Sequence, residues 1–172
     1  MGEVFDRSKM YARSFNGARL GVKHNGVTPW AQMTGLPEAN LLDNTRQDAL
    51  NWFADRVGEN GLDDPQRIRL LDYAGRPLLL SETTVTEHLE PQYIKQGRQN
   101  LIKLIPEILS DPDEVYIRPY RGVYNFMYIK FYKGLPMVVP TGVKEDTPAA
   151  ISSWFQLRDP DGERNGILIY KK

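Results

Sequence analysis

The last third of the chain constrains the fold most strongly, because short strand-like segments follow one another there between turn residues. β-Branched and aromatic residues predict strands at residues 114–119, 124–132, 135–140, 149–157 and 166–171. The connections carry glycine, or aspartate with proline and glycine, which tight turns favour. Strands joined by such short connections pair antiparallel. The sequence therefore predicts a four- to five-stranded antiparallel sheet.

Helical patterns precede this sheet. Asp43-Asn44-Thr45 predicts a helix start, and Gly58 predicts its end. Residues 67–80 contain two apolar runs around Tyr73-Ala74-Gly75, a pattern typical of a β-hairpin. A second helix is predicted over residues 92–105. Helices followed by a strand meander predict the α+β class, with this second helix packed on the sheet.

The length and the composition predict one folded domain with an N-terminal appendage. A chain of 172 residues with 41% apolar content can bury one core. Residues 1–40 are rich in glycine, asparagine and proline, which predicts irregular structure, with His24 in an exposed loop. We therefore expect an irregular and helical appendage over residues 1–60 and a folded domain over residues 66–172.

The composition also excludes several kinds of site. The chain has no cysteine, which removes disulfides, thiol catalysis and cysteine-ligated zinc. No apolar run approaches the roughly 20 residues of a membrane helix, and the first residues start no signal-peptide hydrophobic region. We therefore expect no membrane partner and a cytoplasmic location. Acidic residues that could bind metal flank prolines in turns, so we expect neither a metal nor a cofactor.

Positive charge is concentrated in the C-terminal half. The whole chain balances 22 Lys and Arg against 22 Asp and Glu. Residues 1–90 contain 10 basic and 13 acidic side chains, whereas residues 91–172 contain 12 and 9. Any attraction to the phosphates of a nucleic acid therefore belongs to the C-terminal half, and it is mild.

Arg98 lies on the apolar face of the predicted second helix. Projected at about 100° per residue, it falls within the stripe formed by Ile94, Leu101, Ile105 and Ile108. A buried guanidinium must find an anion, because an unpaired buried charge is costly. Two interpretations stay open: Arg98 pairs with an internal carboxylate such as Glu114, or it opens onto a pocket and holds a phosphate.

Alternation along residues 124–132 separates two faces. One face carries Tyr128 and Lys130 in a row of rings, and the other carries aliphatic side chains and Phe131. We expect the aliphatic face to pack on the helix and the ring face to stack nucleobases beside a phosphate. The alternative is an ordinary amphipathic strand with Lys130 at its solvent edge.

The next predicted strand adds hydroxyl and indole groups. Ser152 and Trp154 share one face of residues 149–157, and Ser153 lies on the other. A hydroxyl beside an indole can bind a phosphate and stack a base, and Thr147 could supply the same hydroxyl. Arg164, in the turn before the last strand, is either a solvated charge or a further phosphate contact.

His88 is the candidate proton-transfer group. Cleavage of RNA without metal requires one group that removes the 2′-hydroxyl proton, another that protonates the leaving oxygen, and cations that stabilise the phosphorane. Imidazole suits both proton transfers because its unperturbed pKa lies near 6.5. The alternative is a structural histidine before a helix.

Several motifs follow one another over roughly residues 66–172. They are Leu80-Ser81-Glu82 followed by His88, the helix with Arg98, Asp111-Pro112-Asp113-Glu114-Val115, Tyr128-Ile129-Lys130, Ser152-Ser153-Trp154-Phe155 and Arg164-Asn165-Gly166-Ile167-Leu168-Ile169-Tyr170. The order of these motifs resembles the phage-associated members of the barnase–EndoU–colicin E5/D–RelE-like nucleases.

The resemblance implies helices on an antiparallel sheet and a metal-independent endoribonuclease that acts on RNA, such as tRNA. Such domains serve as toxins or are fused to phage head or portal proteins. A virion location, a head or portal partner and an immunity protein are therefore further expectations. The alternatives are a non-catalytic phage structural or interaction module and an RNA-binding domain without cleavage.

By the same resemblance, His88 acts as general base or acid, and Arg98 and Lys130 bind the phosphate. Ser152 or Ser153 assists. Since no second histidine lies in this half, Tyr128 or Lys130 would supply the other proton. The implied catalytic residues are His88, Arg98, Lys130 and Ser153, and the implied substrate contacts are Tyr128, Ser152, Trp154 and Arg164.

Overall fold

An eight-stranded mixed sheet organises the described part of the chain, which in this computed structural model comprises residues 27–120, 123–143 and 149–172. The strands are β1 (Arg67–Leu71), β2 (Pro77–Ser81), β3 (Glu114–Tyr120), β4 (Val123–Tyr132), β5 (Leu135–Val143), β6 (Ala149–Ile151), β7 (Phe155–Gln156) and β8 (Ile167–Lys171). Their order is β1-β2-β6-β5-β4-β3-β8, and β7 pairs with β5. His24 and Thr147 lie outside the described residues.

The α+β class is confirmed, but the sheet is larger than predicted. β1 and β2 form the predicted hairpin, and β2 then pairs parallel with β6, with Leu78 opposite Ala149. This one parallel contact merges the hairpin with the antiparallel meander. Turn residues in a sequence reveal hairpins, whereas a pairing between residues about 70 positions apart leaves no local signal.

Five short helices accompany the sheet within the described ranges. They are α1 (Arg46–Ala54), α2 (Glu82–Glu87), α3 (Pro91–Ile94), α4 (Arg98–Leu101) and α5 (Ile105–Ser110). Thr45 caps α1 through a reciprocal pair of hydrogen bonds with Asp48, which confirms the predicted helix start. No helix among the described residues has the length and hydropathy to cross a bilayer.

The predicted helix over residues 92–105 is broken. Gly97 lies between α3 and α4 and adopts φ +75°, a left-handed conformation that interrupts the helix. Of the predicted stripe, Leu101, Ile105 and Ile108 are nevertheless buried, and Ile94 is partly buried. Because glycine adopts positive φ at no steric cost, Gln96-Gly97 was the sequence signal for this break.

Both faces of the sheet are covered, which corrects the prediction for β4. Tyr128 and its neighbouring rings lie in the main core beneath the helices, while Ile129 and Phe131 pack under residues of the N-terminal segment. The face expected to bind bases is therefore the face that packs on the helices. The exposed fractions are 0% for Tyr128 and 3% for Lys130, so the prediction of an open ring face is wrong.

The segment over residues 27–36 covers the second face, and we call it the N-terminal strap. Its buried contacts come from Trp30, Met33 and Leu36. The Trp30 ring lies 5.6 Å from that of Phe131. Helix α1 contributes Ala49 and Phe53 to the main core. The division into residues 1–60 and 66–172 stays a prediction, and residues 1–26 lie outside the described ranges.

The predicted strand over residues 149–157 is two short strands. Between β6 and β7, residues 152–154 leave the regular ladder. The Ser152 N–H donates to Pro140 O at 2.9 Å. At this interruption Ser153 and Trp154 contact α4 and the end of α2.

Candidate functional site

His88 lies at the C-terminal end of helix α2. The Ser81 hydroxyl accepts the Thr84 N–H at 3.1 Å and so begins this helix. His88 Nδ1 lies 2.7 Å from the carbonyl oxygen of Thr84. Because a carbonyl oxygen only accepts, Nδ1 carries the hydrogen in the neutral ring and Nε2 keeps its lone pair. This orientation makes Nε2 the atom that can take a proton.

The Nε2 atom of His88 is open to solvent. His88 is half-buried, and Nε2 has no hydrogen-bond partner among the described residues. This atom is not fully buried, so it reaches the surface. The imidazole is thus held at one nitrogen and available at the other, an arrangement that a general base requires.

Arg98 is buried without a carboxylate partner in the described part of the chain. Its exposed fraction is 6%. Its Nη1 donates to Ser153 Oγ at 2.9 Å, and its Nη2 donates to Gln96 Oε1 at 3.0 Å. The interpretation that Arg98 pairs with Glu114 is wrong, because Glu114 binds Arg164 instead. The charge of Arg98 is therefore not neutralised by a described side chain.

The guanidinium of Arg98 retains unused donors. It has five N–H groups, of which the two contacts above use two. Its Nε is buried and has no partner among the described residues. Burial lowers the pKa of Arg98, and the nearby Tyr93 acts in the opposite direction. A buried cation with free donors is a site for an anion, because arginine stays charged even when desolvated.

Tyr93 and Trp154 join His88 to Arg98. The Tyr93 ring lies 5.0 Å from the His88 ring and 4.9 Å from Arg98 Cζ, so the imidazole and the guanidinium are no more than about 10 Å apart. The Trp154 ring lies 5.4 Å from His88, and its Nε1 donates to Arg98 O at 2.9 Å. Trp154 is fully buried, so it holds both residues in place and offers no free ring face.

A pocket of about 650 Å³ opens beside Arg98. Its walls are formed by Gln96, Arg98, Phe155, Gln156, Leu157, Arg158 and Glu163. Two arginines face one carboxylate there, so the lining carries a net positive charge. His88 is not part of this lining, and the Tyr93 ring contacts both His88 and Arg98. A ligand held by Arg98 must therefore extend beyond the pocket lining to reach His88.

Gly97 sets the position of Arg98. Its positive φ turns the chain between α3 and α4 so that Tyr93 and Arg98 meet, although they lie five residues apart. On an uninterrupted helix, side chains meet at spacings of three or four residues. Sequence reasoning missed Tyr93, Phe155, Arg158 and Glu163, because their proximity to Arg98 depends on this break and on the loop after β7.

Lys130 and Tyr128 lie in other contacts. Lys130 Nζ donates to the backbone oxygen of Asp111 at 2.8 Å and to its carboxylate at 3.1 Å, at the end of α5. The Tyr128 hydroxyl donates to Asp72 at 2.7 Å, and burial raises the pKa of Tyr128. Neither residue has a described contact with His88 or Arg98. Their predicted roles as phosphate ligand, base contact or proton donor stay predictions.

Arg164 and Ser152 also lie apart from the His88–Arg98 pair. Arg164 is 3% exposed and makes a two-pronged ion pair with Glu114. Ser152 is exposed and has no described contact with Arg98. Of the eight predicted site residues, the structure therefore brings together His88, Arg98, Ser153 and Trp154. In the described ranges, no three His, Cys, Asp or Glu side chains group to hold a metal ion.

Comparison with models of known protein families gave a match over most of the chain. Residues 52–171 match the family model described as phage-Barnase-EndoU-ColicinE5/D-RelE like nuclease2. Neither a curated protein nor a solved structure matches the chain.

Proposed function

We propose, from the premise that the chain belongs to the phage-Barnase-EndoU-ColicinE5/D-RelE like nuclease2 family, that it is a metal-independent endoribonuclease. The family name indicates a nuclease and an association with phage. RNA as substrate and the route of cleavage are our inference. One observation carries this inference. The guanidinium of Arg98 is buried without a carboxylate partner among the described residues, and it lies within about 10 Å of His88, whose Nε2 has no described partner.

The geometry suits attack by the 2′-hydroxyl of RNA. His88 Nε2 accepts the 2′-hydroxyl proton, the 2′-oxygen bonds to phosphorus, and the bond from phosphorus to the 5′-oxygen breaks. The products are a 2′,3′-cyclic phosphate and a 5′-hydroxyl. General base catalysis of this kind contributes roughly 10²–10⁴-fold to the rate. DNA lacks the 2′-hydroxyl, so this route does not cleave it.

Arg98 stabilises the charge that develops on the non-bridging oxygens. Its planar fork matches two phosphate oxygens, and its free donors need no desolvation when the ligand arrives. Ser153 supports this role by accepting a hydrogen bond from Nη1, which fixes the plane of the guanidinium. Lys130 is not required here, because its ammonium is engaged by Asp111.

Tyr93 is the group that we assign to the leaving oxygen. It is half-buried between His88 and Arg98, and its hydroxyl has no hydrogen-bond partner among the described residues. The hydroxyl can give its proton to the 5′-oxygen as the phosphorus–oxygen bond breaks. We prefer Tyr93 to Tyr128 and Lys130 for this role, because Tyr128 and Lys130 are buried and already have partners.

The test is cleavage of total tRNA in EDTA by the full chain, beside His88→Ala. We expect discrete fragments with 2′,3′-cyclic phosphate ends from the parent protein, and a loss of about 10²–10⁴-fold in the variant. His24→Ala is the matched control, because His24 is the chain's only other histidine. Fragments that carry 5′-phosphate and 3′-hydroxyl ends would refute attack by the 2′-hydroxyl.

A non-catalytic phage structural or interaction module is the second candidate. The observation in its favour is the formal net charge of zero, since binding to phosphate backbones draws on positive charge. Intact tRNA over a range of pH and protein concentration would support this module over the nuclease. Salt-dependent RNA binding without cleavage would instead indicate an RNA-binding domain.

A further inference from the structure

Arg164 ties together three segments that are distant in sequence. Its Nε and Nη2 donate to the two carboxylate oxygens of Glu114 on β3. Its Nη1 donates to Thr28 O in the N-terminal strap at 2.6 Å and to Asp161 Oδ1 at 3.0 Å. Both side chains of the ion pair with Glu114 are nearly inaccessible, at 2% and 4% exposed. A buried pair of this kind fixes geometry, since neither partner can be lost cheaply.

Asp161 connects the strap to the same network. Its Oδ1 accepts the backbone N–H of Trp30 at 3.0 Å, in addition to the Nη1 of Arg164. Leu157 belongs to the apolar cluster on which Trp30, Met33 and Leu36 of the strap pack. The strap therefore contacts the loop between β7 and β8, residues 157–166, in two ways. It donates a hydrogen bond to Asp161, and it packs on the apolar cluster that contains Leu157.

The other side of this loop forms a wall of the pocket. Leu157, Arg158 and Glu163 line the pocket beside Arg98, while Asp161 contacts the strap and Leu157 also belongs to the apolar cluster on which the strap packs. The loop's remaining described side-chain ties are mostly local, such as Asn165 Nδ2 to Gly162 O. Arg118 adds one contact from β3, donating to Asn165 at 3.2 Å. The contacts of the strap and Arg164 thus contribute to the placement of Arg158 and Glu163, together with Arg118 and with the Leu157 N–H, which donates to Pro136 O at 2.8 Å.

We propose that Arg164 is a positioning residue, and that the N-terminal strap, through Asp161 and Arg164, sets the wall of the RNA-binding pocket. This inference rests on the proposed function, because the ligand of the pocket is taken to be RNA. The strap makes no described contact with His88 or Arg98. Displacing it therefore weakens substrate binding and leaves the chemical centre in place.

The test uses two full-length variants that loosen the strap at different points. Asp161→Ala removes the acceptor of Trp30 and of one Arg164 donor, and Trp30→Ala removes the ring that packs on Phe131. We expect each to raise KM for tRNA about tenfold, because small displacements of binding groups are costly, and to keep kcat within about twofold. The matched control is Gln32→Ala, an exposed strap residue, which should leave both constants unchanged.

Amide hydrogen exchange provides a readout that is independent of activity. Both loosening variants should exchange faster at residues 158–163 than the parent protein, and Trp30→Phe should restore slow exchange and the parent KM. Faster exchange in the strap with unchanged exchange at residues 158–163 would overturn the proposal. An unchanged KM in both loosened variants, or a fall in kcat alone, would overturn it as well.

The two proposals fail in different ways. If the parent protein leaves RNA intact and does not bind it, the proposed function fails, while the exchange data still decide whether the strap positions the loop. If the parent cleaves RNA and loosening the strap changes neither KM nor exchange at residues 158–163, only the positioning role is lost.

Discussion

At the scale of single residues, three buried cations have different surroundings. Lys130 and Arg164 each contact carboxylates that match their charge, whereas Arg98 contacts a hydroxyl, an amide and two rings. Burial of a charge without a counter-ion costs free energy, and this cost is offset when an anionic ligand binds. A buried cation that is paired with a carboxylate therefore indicates a structural role, whereas one without a carboxylate indicates a role in binding an anion.

Replacement of Lys130 by methionine tests this separation. Lys130→Met keeps an unbranched apolar side chain, one atom shorter, and removes the ammonium that binds Asp111. We expect a loss of about 1.5–3 kcal/mol in the free energy of unfolding, typical of a hydrogen bond to a charged group. The rate of tRNA cleavage should stay within about twofold. Urea unfolding and cleavage assays measure both, and a folded variant without activity would instead support Lys130 as a phosphate ligand.

Tyr93 permits a sharper substitution. Tyr93→Phe retains the ring between His88 and Arg98 and removes only the hydroxyl. If the hydroxyl protonates the leaving oxygen, kcat should fall by about 10²-fold or more, while KM stays close to that of the parent. Tyr93→Ala is the companion variant. Activity in the phenylalanine variant together with inactivity in the alanine variant would reassign Tyr93 as a packing group.

At the scale of secondary-structure elements, the break between α3 and α4 builds the site. Gly97 allows the chain to turn at φ +75°, and the first residue after the turn is Arg98. Trp154, from the interruption between β6 and β7, then fixes the backbone of Arg98. The break at Gly97 and the interruption between β6 and β7 thus lie next to each other, and together they position Arg98.

Gly97→Ala should cost about 1–2 kcal/mol of stability, because a side chain disfavours positive φ. It should also lower cleavage by about tenfold or more, since Arg98 and Tyr93 move relative to each other. Gly134→Ala is the matched control, with φ +66° in the turn between β4 and β5. Thermal unfolding should show similar losses in both variants. Equal activity in the two would contradict a role for Gly97 in placing Arg98.

At the scale of the whole molecule, the sheet is covered on both faces, so its tyrosines are buried. The hydroxyls of Tyr116, Tyr128 and Tyr132 donate to Glu114, Asp72 and Glu107. Burial raises the pKa of all three tyrosines, and the neighbouring carboxylates act in the same direction. The folded state therefore keeps protons that the unfolded chain loses above about pH 10.

Stability should consequently fall at alkaline pH. Below about pH 10, the tyrosines are protonated in both states and contribute no pH dependence. Above it, the unfolded state binds fewer protons, so the free energy of unfolding decreases as pH rises. Urea unfolding between pH 8 and 11, with absorbance of tyrosinate as a second probe, measures the effect. Tyr128→Phe should reduce the slope, and a slope equal to that of the parent would contradict the assignment.

The sequence by itself determined the α+β class, the β1–β2 hairpin, the start of α1, the burial of Arg98 and the resemblance to a nuclease family that the family match confirms. These features depend on local turn chemistry, capping and periodicity, which neighbouring residues encode. The candidate histidine and arginine were also visible, because each has a chemically distinctive side chain in a defined local setting.

Only the tertiary structure decided which residues surround them. Alternation separated the faces of β4 correctly, but it could not show that the strap covers one face and the helices the other. Likewise, the partner of Arg98 is Ser153 and that of Glu114 is Arg164, pairs separated by 55 and 50 positions. Such contacts arise when distant segments pack together, and no pattern of neighbouring residues in the sequence predicts them.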